Sequence, residues 1–275
     1  MASVNTNAGA MVALQNLNRT NQELQTVQNR INTGLSVASA KDNGGIYAIA
    51  QNMRAEVGSL RAVNNSLDLA ISVVDVSLAA GDAISDLLIE MKEKALAASD
   101  VSLDSASRTA LSEDFKALRD QISTIVENAE FNGSNLIDGS MSGGISALAN
   151  AKGTNTINVS DEDLSLSGTI LGLSGGTDIA SQSDASAAVT AIESALTNLN
   201  SALARLGTGS KSLEIHKTFV SKLSDSLEKG IGNLVDADLA KESARLQSLQ
   251  VKQQLGIQAL SIANSAPATV LGFFR

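Results

Sequence analysis

His216 is the one histidine of the 275-residue chain, and there is no cysteine. A Ser-His-Asp nucleophilic set or a histidine-based metal site would have to be built around it. It lies beside Lys217 in a stretch of helical periodicity, where a packed or exposed helix residue is the expectation. Asp161-Glu162-Asp163 could hold a divalent cation through carboxylate oxygens. It lacks the ligand spacing of a calcium loop, so a solvated acidic turn is expected. Neither a glycine-rich phosphate loop nor a His-Glu-x-x-His motif is present. No polar constellation converges, so the expectation is no enzyme, no cofactor and no metal.

The elements that would have to position such groups are helices. Hydrophobic content is 43% and aromatic content 2%, with no Trp and Tyr47 the one tyrosine. Burial must therefore come from Leu, Ile, Val and Ala, which suits helix on helix. Pro267 is the one proline, so long helices run uninterrupted by a residue that costs an interior about 3 kcal/mol. Without cysteine there is no disulfide framework. The first residues, Met-Ala-Ser-Val-Asn-Thr-Asn, do not read as a cleavable signal, because no basic region and apolar run follow. No apolar stretch approaches the roughly 18 residues of a membrane span, so no membrane partner is expected.

Residues 10–35 place Ala10, Leu14, Leu17, Asn21, Leu24, Gln28, Ile31 and Leu35 at alternating spacings of four and three. That is a heptad seam, with Asn21 and Gln28 as polar members that are either tolerated or fix the register. Residues 239–263 carry a second seam: Leu239, Leu246, Leu249, Leu260 and Ala263, with Gln253 and Gly256 in the gaps. Ala244, Val251, Leu255 and Ile262 form another stripe beside it. One partner helix covers one stripe. The other is left for neighbouring copies, so Leu246, Leu249, Leu255, Leu260 and Ile262 join the N-terminal set as assembly residues.

Between the ends lie three further helical stretches. From about 44 to 99, Met53, Val57, Leu60, Asn64, Leu67, Ile71, Val74 and Leu78 keep the four-three alternation. From 105 to 129, Leu111, Phe115, Leu118, Ile122 and Ile125 share a stripe. From about 184 to 233, Val189, Ile192, Leu196, Leu199, Leu203, Leu206, Leu213, Val220, Leu227, Ile231 and Leu234 hold one frame. Lys41-Asp42-Asn43-Gly44-Gly45 is a turn before a helix start, and Gly230-Ile-Gly232-Asn233 reads as a break with Asp236 or Asp238 as the next N-cap. These joints sit at matching distances from the two ends, so paired ends would kink at one level. Residues 131–183 hold 9 of the 21 glycines, and Thr156–Ser160 and Leu164–Gly168 read as weak strands.

The expected fold class is mostly α: a long antiparallel helical rod with coiled-coil termini, plus a small β/loop region at the central tip. Three divisions follow. Residues 1–40 and 235–275 form a terminal coiled-coil domain, 41–130 and 184–234 a helical rod, and 131–183 a Gly/Ser-rich hairpin and loop region on the outside. Net charge is −9, with +1 on residues 1–35 and +1 on 235–275, which leaves −11 in the middle. Nearly neutral ends suit burial in an assembly, an acidic middle suits solvent, and nucleic acid is not expected as a partner.

The chain resembles bacterial flagellin. The resemblance covers roughly 1–140 and 185–275. It is carried by Ala13-Leu14-Gln15-Asn16-Leu17, Ile31-Asn-Thr-Gly-Leu35, Ser39-Ala-Lys-Asp42, Ala48-Ile-Ala50 and Phe131-Asn-Gly-Ser-Asn-Leu136. At the other end come Gln253-Gln-Leu-Gly256, Ala263-Asn264, Pro267, Val270-Leu271 and Phe274-Arg275. Asp42-Asn43-Gly44-Gly45-Ile46-Tyr47 departs from the usual Asp-Asp-Ala-Ala-Gly and, with the short centre, looks like the short alphaproteobacterial type. The resemblance implies a secreted, extracellular subunit that polymerises with itself into the flagellar filament. It further implies export through the flagellar type III secretion apparatus with an export chaperone, and hook-associated junction and cap proteins as partners. The terminal segments would be disordered in the free monomer and fold on polymerisation. A hook–filament junction protein or an intracellular coiled-coil binding module would be the alternatives. Many flagellins carry an arginine on the helix face where this chain has Glu90, which implies weak recognition by the mammalian flagellin receptor.

Overall fold

In the computed structural model, residues 6–272 are described, with side-chain surroundings given up to Ser265. The expected helix start at residue 4 and the terminal Phe274-Arg275 lie outside them. Five helices and one small sheet follow in order: α1 (Ala8–Thr33), α2 (Gly44–Ala98), α3 (Ser105–Asn128), β1 (Ile145–Leu148), β2 (Thr156–Val159), α4 (Gln182–Val235) and α5 (Leu239–Gly272). The chain is therefore mostly helical. It divides into two compact units, residues 1–55 with 226–275, and residues 56–225.

In the terminal unit α1 and α5 pack side by side. Asn7 caps α1 by accepting from Ala10 N at 3.0 Å, and Gly34 ends it in the left-handed region at φ 70°. The chain leaving α1 meets the chain leaving α4, at Leu35 and not at the Lys41–Gly45 turn where the joint was expected. Leu35 and Asp236 form an antiparallel bridge, Ser36 N donates to Val235 O at 2.7 Å, and Ala237 N donates to Gly34 O at 2.8 Å. The break itself comes later than expected. α4 runs through Gly230 and Gly232 to Val235, and it ends where its backbone is taken up by Gly34–Ser36. Asp238 caps α5, accepting from Ala240 N and Lys241 N at 3.1 Å each. Asp42 closes the other joint by accepting from Ser39 N, the Ser39 hydroxyl and Ala38 N; these bonds, the Ser39 N–H foremost, hold its carboxyl below the usual range. Val37, Ala50 and Val235 make a small core here, with Leu35, Ile46, Tyr47, Ile231 and Leu234 packed on it. That packing explains why the first turns of α2 and the last of α4 group with the ends, where a boundary at 40 and 235 was expected.

The second unit has a continuous core. α2 buries Leu60, Leu67, Val74, Leu88 and Ala95 in one column and Val63, Ala70, Ser77, Ile84, Met91 and Ala98 in the next. α4 buries Ile192, Leu199, Leu206, Leu213 and Val220 beside Ala188, Ala195 and Ala202. α2 and α4 approach closely at Gly81, where a Cβ would stand 2.3 Å from Leu203 Cδ2. Arg108 turns the chain from α2 into α3, donating to Ala98 O at 2.9 Å and Asp100 O at 2.8 Å. Ser112, Phe115, Ile122 and Val126 are the buried face of α3.

Residues 131–183 are the expected hairpin and loop region, and they pack as a layer on this core. Leu136, Ile137, Leu164, Leu173 and Ile179 are fully buried. β1 and β2 pair antiparallel with Ile145 opposite Val159. The 156–160 strand is there, but 164–168 forms turns: Ser165 N is held by Asp163 Oδ1 at 3.0 Å and Gly168 N by Ser165 O at 2.9 Å. Side chains tie the layer to the helices. Leu148 N donates to Ser66 Oγ at 3.1 Å, Asn198 to Ile170 O at 3.1 Å, and Arg119 to Thr177 O at 3.2 Å.

A candidate assembly surface

The residues that could have carried chemistry make packing and hydrogen-bonding contacts. His216 Nε2 lies 2.7 Å from Ala149 O and its ring stands 5.8 Å from that of Phe219, so it pins the loop after β1 to α4. The acidic triplet is only partly solvated. Glu162 is buried and accepts two bonds of 2.6 Å from Arg205, Asp163 accepts from Ser165 N, and Asp161 accepts from Gly143 N at 3.3 Å. Among the described residues no cluster of His, Cys, Asp and Glu could hold a metal ion, and no helix is long and apolar enough to cross a membrane.

What remains is the α1–α5 pair. Its seam on α5 reads Glu242, Leu246, Leu249, Gln253, Gly256, Leu260 and Ala263, each buried or half-buried at alternating spacings of four and three. On α1 the matching set is Ala10, Ala13, Leu17, Thr20, Leu24, Val27 and Ile31. The expected frame was right at one heptad position and off by one residue at the other. Leu14 is 48% exposed and Gln28 is exposed, whereas Val27 is 1% exposed. A small residue, Ala13 or Thr20, lets the helix backbones come closer than Leu14 would, and the Thr20 hydroxyl is satisfied by Asn16 O at 2.9 Å. Leu239 also lies off the seam, largely exposed, and Leu35 belongs to the joint.

Polar groups fix the register. Gln253 donates to Asn21 Oδ1 at 2.7 Å, so Asn21 serves the seam from its margin. Arg30 meets Glu242 at 3.1 Å near one end, and Asn7 donates to Ala263 O at 2.5 Å near the other. Residues 7, 21 and 30 thus pair with 263, 253 and 242, and a slip of one heptad would break all three contacts at once. A Cβ on Gly256 would stand 3.2 Å from Leu17 Cδ1, which makes this the tight point of the seam. The Arg30–Glu242 pair was not legible in the apolar pattern, because a charged residue sits where a leucine was sought. Arg30 Nε and Glu242 Oε2 are buried without a hydrogen-bond partner, so the pair sets register at a cost in stability.

The second α5 stripe is uncovered. Val251 is 55%, Leu255 57% and Ile262 70% exposed. α1 adds Met11, at 67%, and Leu14, which with Gln15, Asn18, Arg19 and Gln22 line a shallow groove on its outer side. Single exposed apolar residues are ordinary, but a helical stripe of them marks a candidate interaction surface.

The chain is similar to known proteins. The family model for the bacterial flagellin N-terminal helical region matches residues 4–142, and the one for the C-terminal helical region matches 189–274. The chain is 55% identical over 273 residues to flagellin FljK of Caulobacter vibrioides, covering 99% of this chain and 98% of that one. It is 37% identical over 283 residues to a flagellin of Brucella melitensis biotype 1, covering all of both. Its fold is similar to that of a putative flagellar hook-associated protein from Vibrio parahaemolyticus, with a TM-score of 0.59 and 16% identity over 71% of this chain and all of that one.

Proposed function

This chain belongs to the bacterial flagellin family and is a structural subunit of the extracellular flagellar filament; we propose that the uncovered α5 stripe is the surface through which copies join. The observation that carries this reading is the pairing of a covered seam with an adjacent exposed stripe, Val251, Leu255 and Ile262, on one helix. Burying such side chains supplies roughly 1.5–3 kcal/mol each, repeated at every copy of the contact. The exposed Met11 and Leu14 of α1 belong to the same assembly set.

Before assembly, the reading has the chain exported through the flagellar secretion apparatus with a chaperone on its apolar ends. Once outside, it meets junction and cap proteins at the growing filament. The thin α1–α5 seam supports this order, because two helices covering one face each are marginal alone. The chain works without catalysis, and Glu90, exposed on α2, weakens recognition by the mammalian flagellin receptor. Purified protein seeded with filament fragments and viewed by negative-stain microscopy should give long uniform filaments. Seeds that do not grow would overturn the reading. Limited proteolysis should trim about 40 residues from each end of the monomer and none from the polymer.

A further inference from the structure

Two Asn-Gly pairs, Asn43-Gly44 and Asn132-Gly133, and one Asp-Gly pair, Asp138-Gly139, occur in the chain. In each, a backbone nitrogen unhindered by a following Cβ stands next to a side-chain carbonyl carbon. The local structure decides which pair can react. Asn43 caps α2, its Oδ1 accepting from Ile46 N at 3.1 Å and its main-chain carbonyl from Tyr47 N at 3.0 Å. Gly44 is already helical. Asp138 Oδ1 accepts from Ser140 N at 2.8 Å, and Gly139 lies against the Asp163 carboxylate.

Asn132 differs in its backbone and in its hydrogen bonding. It is exposed, and it is the one non-glycine residue with positive φ among those described, at 51°, followed by Gly133 at 78°. Phe131 and Ser134 exchange two 3.0 Å hydrogen bonds around the pair, which makes a two-residue hairpin turn. Among the described residues neither the Asn132 amide nor Gly133 N has a hydrogen-bond partner. Only the turn holds the pair, and such turns open cheaply.

We propose that Asn132 is a site of spontaneous deamidation. Gly133 N attacks Asn132 Cγ, the Cγ–Nδ2 bond breaks, and ammonia leaves carrying the proton from Gly133. The result is a five-membered succinimide. Water then adds across one of its two ring C–N bonds to give aspartate or isoaspartate. Either product adds a negative charge, and isoaspartate adds a methylene to the main chain of a two-residue turn. The strain would fall on Asn135. That buried residue donates to Val126 O at 2.7 Å and accepts from Ile137 N at 2.9 Å, so it anchors the packed layer to the end of α3. The turn thus ages into a form that loosens the layer where it leaves the helices.

The test is to incubate the full chain in mildly alkaline buffer and follow both Asn-Gly sites by peptide mapping, with fragmentation that separates aspartate from isoaspartate. Asn132 should convert at least about fivefold faster than Asn43, the population factor of one cap interaction. In concentrated urea the two rates should come together, because the unfolded pairs are chemically alike. An unmodified Asn132, or equal rates in the folded chain, would overturn the proposal. A ratio that survives urea would show that the turn and the cap are not the cause.

Discussion

The terminal pair and the second unit are built from similar helices, yet one is thin and the other complete. Along all of α1 the one fully buried residue is Val27, and along the described part of α5 the buried residues are Glu242 and Leu249. Over a comparable length α2 buries two columns, backed by α3, α4 and the layer at 131–183. Helix propensity is not the difference. The difference is how many faces find a partner inside one chain. A helix pair with one covered face depends on contacts from outside, whereas a core closed on all sides folds alone. A filament of flagellin subunits is a supply of such outside contacts.

Exchanging the effects of two leucines would break this contrast. Leu67, fully buried in α2, should lose about 2–5 kcal/mol on Leu67→Ala. The monomer melt should fall by many degrees, while the critical concentration for polymerisation well below the melt stays unchanged. Leu255→Ala should do the opposite, since the side chain is 57% exposed in the single chain. Its critical concentration should rise at least about tenfold, the equivalent of 1.4 kcal/mol, with the melt of the second unit untouched. A lowered melt would mean that the stripe is covered within the monomer. An unchanged critical concentration would mean that it faces solvent in the filament.

A smaller effect would sharpen the comparison within the terminal pair. Gln253→Ala removes the bond to Asn21 and should cost about 1 kcal/mol in assembly. Its clearer mark should be heterogeneous filaments by electron microscopy, because one of three register contacts is gone. Uniform filaments would assign the register to Arg30–Glu242 and Asn7 alone.

The smallest effect concerns pH and the second unit. Burial pushes the Asp178 carboxyl up, but the Ser112 hydroxyl, Ile179 N and the Lys116 ammonium outweigh it, and its pKa lies below the ordinary carboxylate value. A depressed folded value means that the stabilisation is fully present above the unfolded pKa of about 3.9 and is lost as pH falls through the folded one. The melt should therefore hold from neutral down to that region and then decline. Asp178→Asn should make the acid limb shallower, as read from melts across the acid range. An identical acid limb would assign the decline to the other depressed carboxylates of that unit, Asp100 and Asp104.

The sequence alone determined the helical class, the pairing of the two ends, the presence of a joint near each end, and the family. Each rests on periodicity, turn residues or motif order, which are local properties of the chain. It determined both heptad positions along α5 from Leu246 to Ala263, and one of the two in α1, α2 and α4: Leu17 and Leu24, Leu60 and Leu67, Ile192 and Leu199. The second position was decided by packing. Pattern reading placed it on Leu14 and Gln28, Asn64 and Ile71, and Leu196 and Leu203. The structure gives it to Ala13 and Val27, Val63 and Ala70, and Ala195 and Ala202. Small residues carry little hydropathy signal, yet they are what closely approaching backbones require, as Gly81 under Leu203 shows. The same holds for the polar choices. Glu242 on a seam and Glu162 in a core are costly until Arg30 and Arg205 arrive from far along the chain, and only the tertiary structure brings those charges together.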